Sequence, residues 1–143
     1  MIDINGIRIN SIACCVPARV QRNDDVPGFD KDRIKKIVSA TGVEEKRVRE
    51  DGCCTSDLCL EAANHIIDNL QIDKKEIGSL IFVSQTPDYR LPATSCWLQN
   101  ELGLTTDTLA FDVNLGCSGY IYGSYISSIL LQNSGHRYAL LLV

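Results

Sequence analysis

Leu109-Ala110-Phe111-Asp112-Val113-Asn114-Leu115-Gly116-Cys117-Ser118-Gly119-Tyr120 runs from a short apolar stretch into a long apolar one that reaches Asn133. Leu109 to Val113 has the length and apolar content of a covered strand, and residues from about Cys117 to Asn133, closed by Ser134-Gly135, read as a helix. Cys117 then sits at a glycine-flanked turn from strand to helix, the pattern of a nucleophile elbow. A thiol in that position meets the unpaired N–H groups of the first helical turn and the positive end of the helix dipole, both of which favour thiolate over thiol. Core packing alone gives no reason for such a turn, so Cys117 is the candidate nucleophile. The other six cysteines are read as buried thiols that behave as small hydrophobes.

Outward from this stretch the same alternation continues. Leu80-Ile81-Phe82-Val83, directly after Gly78, is a continuous apolar run of the kind found in strands covered on both faces. Pro92 suits the first turn of a helix running to Leu102, ended by Gly103. Tyr138 to Val143 is a further apolar strand, and the chain reads as cut short inside it. Upstream, Cys59, Ala62, Ala63, Ile66, Ile67 and Leu70 recur at helical spacing, which predicts an amphipathic helix over 56–70 with Ser56 or Asp57 at its start. Lys31 to Ala40 predicts a short basic helix capped by Gly42, and Ile7 to Val16 predicts a strand ending at Pro17. Strand and helix alternate three times from residue 80 onward. The expected fold class is therefore α/β, a mostly parallel sheet with helices on its faces and right-handed crossovers.

The chain has 143 residues, 45% hydrophobic and 22% charged, the size of one ordinary domain with a substantial core. Its formal net charge is -4 and its basic residues are scattered apart from Arg33 to Lys36 and Lys46 to Arg49, which argues against nucleic acid as a partner. The start, Met1 to Ile9, lacks a cationic segment followed by a long apolar run, and no stretch approaches the roughly 18 apolar residues of a membrane span. A cytoplasmic protein that binds no membrane is expected. Seven cysteines, with Cys14-Cys15 and Cys53-Cys54 adjacent, fit reduced thiols better than a disulfide framework. Cys53, Cys54, Cys59 and His65 match no familiar zinc spacing, so no metal is assigned, and His65 is given no role.

Three stretches resemble the β-ketoacyl-acyl-carrier-protein synthase III group of the thiolase-like superfamily: Ala40-Thr41-Gly42-Val43 with Arg47 after it; Thr86-Pro87-Asp88-Tyr89-Arg90-Leu91-Pro92; and Phe111-Asp112-Val113 through Cys117-Ser118-Gly119-Tyr120. Their order and spacing are similar to the N-terminal half of such enzymes. The resemblance implies a thiolase-like layered fold of which residues 1–143 are the N-terminal half-domain, with the C-terminal half absent from this chain. It implies that Cys117 takes an acyl group from a thioester carried on coenzyme A or acyl-carrier protein, and that acyl-Cys117 condenses with malonyl-acyl-carrier protein as carbon dioxide is lost. The backbone N–H of Cys117 would be one donor of an oxyanion hole. The histidine and asparagine of the condensation step belong to the C-terminal half in the family, and His136, at the far end of the helix, is not one of them. This chain alone is expected to lack condensation.

Thr86 and Leu91 fall where the resemblance implies a dimer interface that closes the partner's acyl pocket, with Leu109 to Val113 pairing across the two-fold axis of a homodimer. Plain core residues are the alternative for Leu91 and Trp97. The tryptophan and arginine that grip the adenine of coenzyme A in the well-known bacterial members correspond here to Lys36 and Ala40, which implies a different grip or a carrier-protein donor. Arg33, Lys36 and Arg47 are the candidate contacts to coenzyme A or an acidic carrier, with a solvated basic face as the alternative. No cofactor is implied. Two other functions use the same residues: a non-catalytic half-domain that binds a partner chain or carrier protein, and acyl transfer without condensation. Acyl-chain length and pathway stay open.

Overall fold

Two short strands, β1 (Val20–Arg22) and β2 (Glu45–Arg47), pair antiparallel on either side of helix α1 (Lys31–Thr41), with Gln21 opposite Lys46. The computed structural model describes residues 3–28 and 30–143; Met1, Ile2 and Phe29, and with them part of the N-terminal start, lie outside the described residues. These elements form one of two compact units, Val16–Cys54; the other combines Met1–Cys15 with Thr55–Val143. In the smaller unit Asp30 caps α1 by accepting the Arg33 N–H at 2.7 Å. At the other end Gly42, in the left-handed region at φ 70°, donates to the Val38 carbonyl, the cap that the sequence predicts.

The larger unit is built on α2 (Thr55–Asn69), β3 (Ile77–Val83), α3 (Thr94–Glu101), β4 (Leu109–Val113), α4 (Gly119–Ser134) and β5 (Tyr138–Leu142). Its sheet is parallel in the order β4-β3-β5, so the central strand is the most buried one, and all seven of its residues are buried. Alternation along the strands sorts the two faces. Leu80 and Phe82 of β3 with Leu140 and Leu142 of β5 pack against Cys59, Ala63 and Ile67 of α2 and Leu98 of α3. Val83 and Leu141 point the other way and meet α4 at its glycines, Gly119 and Gly123. Three layers result, α2 and α3 on one face of the sheet and α4 on the other.

Several boundaries depart from the sequence expectation, each for a local reason. Gly78 lies inside β3, at a register irregularity against β5, where its missing Cβ makes room for the His136 ring. Helix α2 begins at Thr55, which leaves Ser56 and Asp57 inside its first turn. Ile7 to Val16 forms no strand. β-Branched composition supplies only a preference, and a strand needs a neighbour's ladder; none of the described strands pairs with this segment, and Ile9 and Ile12 are 67% and 78% exposed. The start of the chain is tethered instead to the end of α4, where Gln132 accepts the Asn5 N–H at 2.9 Å and donates to the Asp3 carbonyl at 3.3 Å.

All seven cysteines are unbridged. Cys59, buried in the core, has its thiol pushed up from 9.0 to about 11, first by burial and then by the charges of Asp88 and Cys15. Because the folded value is raised, the stabilisation is complete below pH 9.0 and is lost as pH rises toward 11. Urea titrations across that interval are expected to show a falling midpoint that Cys59→Ala, at its own lower baseline, follows less steeply.

Candidate active site

The elbow is assembled where two parallel strands end side by side. Val83 and Val113 are the last registered pair of β3 and β4, and the Ser84 N–H extends the ladder by donating to the Val113 carbonyl at 3.2 Å. The segments 84–93 and 114–118 therefore leave the same edge of the sheet together, at the carboxyl ends of the strands, where open α/β sheets place their sites.

Within 114–118 the chain turns tightly. The Leu115 N–H donates to the Val113 carbonyl at 3.0 Å, and the Gly119 N–H to the Gly116 carbonyl at 2.7 Å. Helix α4 starts at Gly119, so Cys117 stands in the turn two residues ahead of it rather than in its first turn, and it is exposed. Ser118 is the N-cap residue, yet its side chain caps nothing. The first-turn N–H groups are thus not consumed by a capping side chain. Glycine is demanded at two places. A Cβ at Gly119 would lie 2.3 Å from Val83 Cγ1, and one at Gly116 would lie 2.9 Å from Gln85 Cδ. The first contact seats α4 directly on β3; the second lets the β3 loop lie against the elbow.

The 84–93 segment carries Thr86 and Leu91. The Thr86 N–H donates to Ser84 Oγ at 3.1 Å, and Tyr89 and Thr94 are bonded to each other through the Tyr89 N–H and the Thr94 hydroxyl. Leu91 is 92% exposed, which removes the core reading for it; Trp97 fills that place, packed on the core with its ring 6.5 Å from that of Tyr89. Pro92 precedes α3 instead of sitting in its first turn. The start of α3 is set from a distance by Asp112 of β4, whose two carboxylate oxygens accept the Thr94 and Ser95 N–H groups at 3.0 and 2.8 Å. Asp112 thereby ties the strand that carries the elbow to the loop that carries Leu91. Nothing in the local sequence marks this role, because the capped helix lies 17 and 18 residues earlier.

Thr86, Leu91 and Cys117 are therefore carried by two loops at one end of the sheet, whereas Arg33 and Lys36 of α1 and Arg47 of β2 belong to the smaller unit. All three are exposed, and Arg47 spends one N–H on the Ala18 carbonyl at 2.8 Å. His65 shares a hydrogen bond with Asn69 along α2 and lines a separate hollow with Cys14, Cys15 and Glu61. His136 follows α4, about 24 Å of helix from the elbow at 1.5 Å per residue. Among the described residues no three His, Cys, Asp or Glu side chains come together as metal ligands, and no helix is long and apolar enough to cross a membrane.

No family model matches the chain. It is 33% identical over 144 residues to the β-ketoacyl-[acyl-carrier-protein] synthase III of Rhodopirellula baltica, a match that covers 99% of this chain and 40% of that protein. The corresponding figures for the protein of the same name from Natranaerobius thermophilus are 30% over 139 residues, 97% and 42%. A crystal structure of a 3-oxoacyl-(acyl-carrier protein) synthase from Burkholderia xenovorans superposes with a TM-score of 0.84 at 40% identity, over 91% of this chain and 38% of that one. The chain thus spans about two-fifths of the length of the curated relatives it matches. Along nearly all of its residues, in sequence and in the course of the backbone, this chain is similar to about two-fifths of the length of the β-ketoacyl-acyl-carrier-protein synthase III proteins, whose fold is thiolase-like.

Proposed function

We propose that Cys117 is an acyl acceptor. Its thiolate attacks the carbonyl carbon of an acyl thioester, a new C–S bond forms, the bond to the donor thiol breaks, and that thiol leaves with a proton equivalent to the one Cys117 gave up. In the whole protein, loss of carbon dioxide from a malonyl thioester generates a carbon nucleophile that attacks acyl-Cys117, forms the C–C bond and returns the cysteine thiolate. The observation that carries this reading is the placement of an exposed thiol in the turn ahead of a 16-residue helix, at the shared end of two parallel strands. There the backbone N–H of Cys117 is an available donor to the oxyanion.

The remaining roles follow from that one. Leu91, an exposed apolar side chain on the neighbouring loop, suits the wall of an acyl pocket completed by a second copy of the chain, with Thr86 beside it. Arg33, Lys36 and Arg47 suit contact with an acidic carrier protein or the phosphates of coenzyme A. His136 is too far along α4 to serve the condensation step, so acylation is the step to test in this chain. Incubated with an acyl thioester, the protein is expected to gain the mass of one acyl group, and Cys117→Ala to abolish that gain. An adduct that persists in the variant would show that another thiol is the acceptor.

A further inference from the structure

The β3 loop brings one more side chain to the elbow. Three atoms of the Gln85 carboxamide, Cδ, Oε1 and Nε2, lie 2.9, 2.9 and 3.1 Å from the position a Cβ would take on Gly116. The amide group therefore rests flat against the residue immediately before Cys117. Gly116 is not among the glycines with positive φ, so its backbone conformation is open to other residues. What a glycine supplies here is the space that the carboxamide fills. Gln85 is exposed, and among the described residues its carboxamide makes no hydrogen bond, so its donors and acceptor face the solvent beside an exposed thiol.

A neutral amide in that position has a definite chemistry. It adds no charge. It offers an N–H to an oxygen that becomes negative while a thioester carbonyl turns tetrahedral, an interaction stronger in the transition state than in the ground state. We propose that Gln85 is a substrate-contacting residue of the Cys117 site, its Nε2–H donating to the carbonyl oxygen of the acyl group during transfer to Cys117, and that Gly116 is present to admit it. This rests on the acyl-transfer reading of Cys117.

Two rates at the same sulfur test it: acylation by the small thioester acetyl-N-acetylcysteamine and alkylation by iodoacetamide, each followed by mass at the Cys117 peptide. Gln85→Ala is expected to slow acylation at least about tenfold, since one oriented oxyanion donor is removed, while alkylation keeps its rate. Gln85→Glu, which sets an acceptor-only group against the developing oxyanion, is expected to be slower still relative to its own alkylation. Gly116→Ala pushes the carboxamide away and is expected to reproduce the Gln85→Ala ratio. The double substitution is expected to add nothing, as for two changes acting through one contact. Unchanged acylation in Gln85→Ala overturns the proposal, and so does an equal fall in both rates, which would mean that the elbow itself had moved. Failure of the parent chain to acylate at all, seen before any variant is made, overturns the acyl-transfer reading as well.

Discussion

Gly119→Ala is expected to destabilise the protein by about 1–3 kcal/mol, the usual cost of overfilling a packed site. Helix propensity argues the other way, favouring alanine over glycine by up to about 1 kcal/mol inside a helix. Gly119 is the first residue of α4, where that preference is weakest, and the new Cβ would stand 2.3 Å from Val83 Cγ1 and 3.3 Å from Leu115 Cβ. Val83 is 4% exposed at the end of the central strand and has nowhere to swing. The overlap therefore outweighs the propensity, and α4 must lift from the sheet, taking the Cys117 turn with it. Urea denaturation is expected to show a lower midpoint for Gly119→Ala and a slower acylation of Cys117. Combining it with Val83→Ala removes the obstructing methyl groups, so the pair is expected to cost less than the two single changes added together. Strict additivity would mean that the contact does not set the height of the helix.

Asp112→Ala is expected to cost about 1–3 kcal/mol, because it leaves the Thr94 and Ser95 N–H groups without an acceptor in a part-buried position. Asp112→Asn keeps one acceptor oxygen and is expected to fall between the parent and the alanine variant. Hydrogen exchange supplies the check: protection of the Thr94 and Ser95 amides should drop in Asp112→Ala while the β3 amides from Ile77 to Val83 lose only what the global loss of stability dictates. An unchanged rate at Thr94 and Ser95 would mean that the α3 terminus is held by other groups.

The features read correctly from sequence are those whose causes are local. Residues 109–113 were bounded as a strand because an apolar run is interrupted by Asn114 and a glycine turn, and the same residues form β4. Helix α1 and its Gly42 cap, the fully buried β3 and the parallel pairing on both sides of it have equally short-range signals: a basic amphipathic stretch, a left-handed glycine, a continuous apolar run. The elbow was legible for the same reason, since Gly116, Cys117 and Gly119 are close neighbours in the chain. The departures have causes that lie elsewhere in the molecule. Ile7 to Val16 has strand composition and no partner. Pro92 suits a helix start, yet the start is set at Thr94 by a carboxylate on β4. Gln85 reaches the elbow because Val83 and Val113 are in register, a fact of pairing that its own neighbours in sequence do not announce. Arg47 reads from sequence as a candidate contact to coenzyme A or an acidic carrier, with a solvated basic face as the alternative, and one of its donors holds the Ala18 carbonyl 29 residues earlier.

Among the exposed thiols, Cys14, Cys54, Cys96 and Cys117 compete for any electrophile in solution, while Cys59 is withheld by burial. The most direct test is therefore one of selectivity: a limiting amount of acetyl-N-acetylcysteamine is added to the parent chain at neutral pH, the reaction is quenched early, and every cysteine peptide is weighed. Acetyl mass confined to the Cys117 peptide is the predicted result, because the proposed oxyanion donors would speed acyl transfer to that thiol alone. Acetyl mass spread over Cys14, Cys54 and Cys96 in step with their exposure would contradict it, and would reduce Cys117 to one accessible thiol among several.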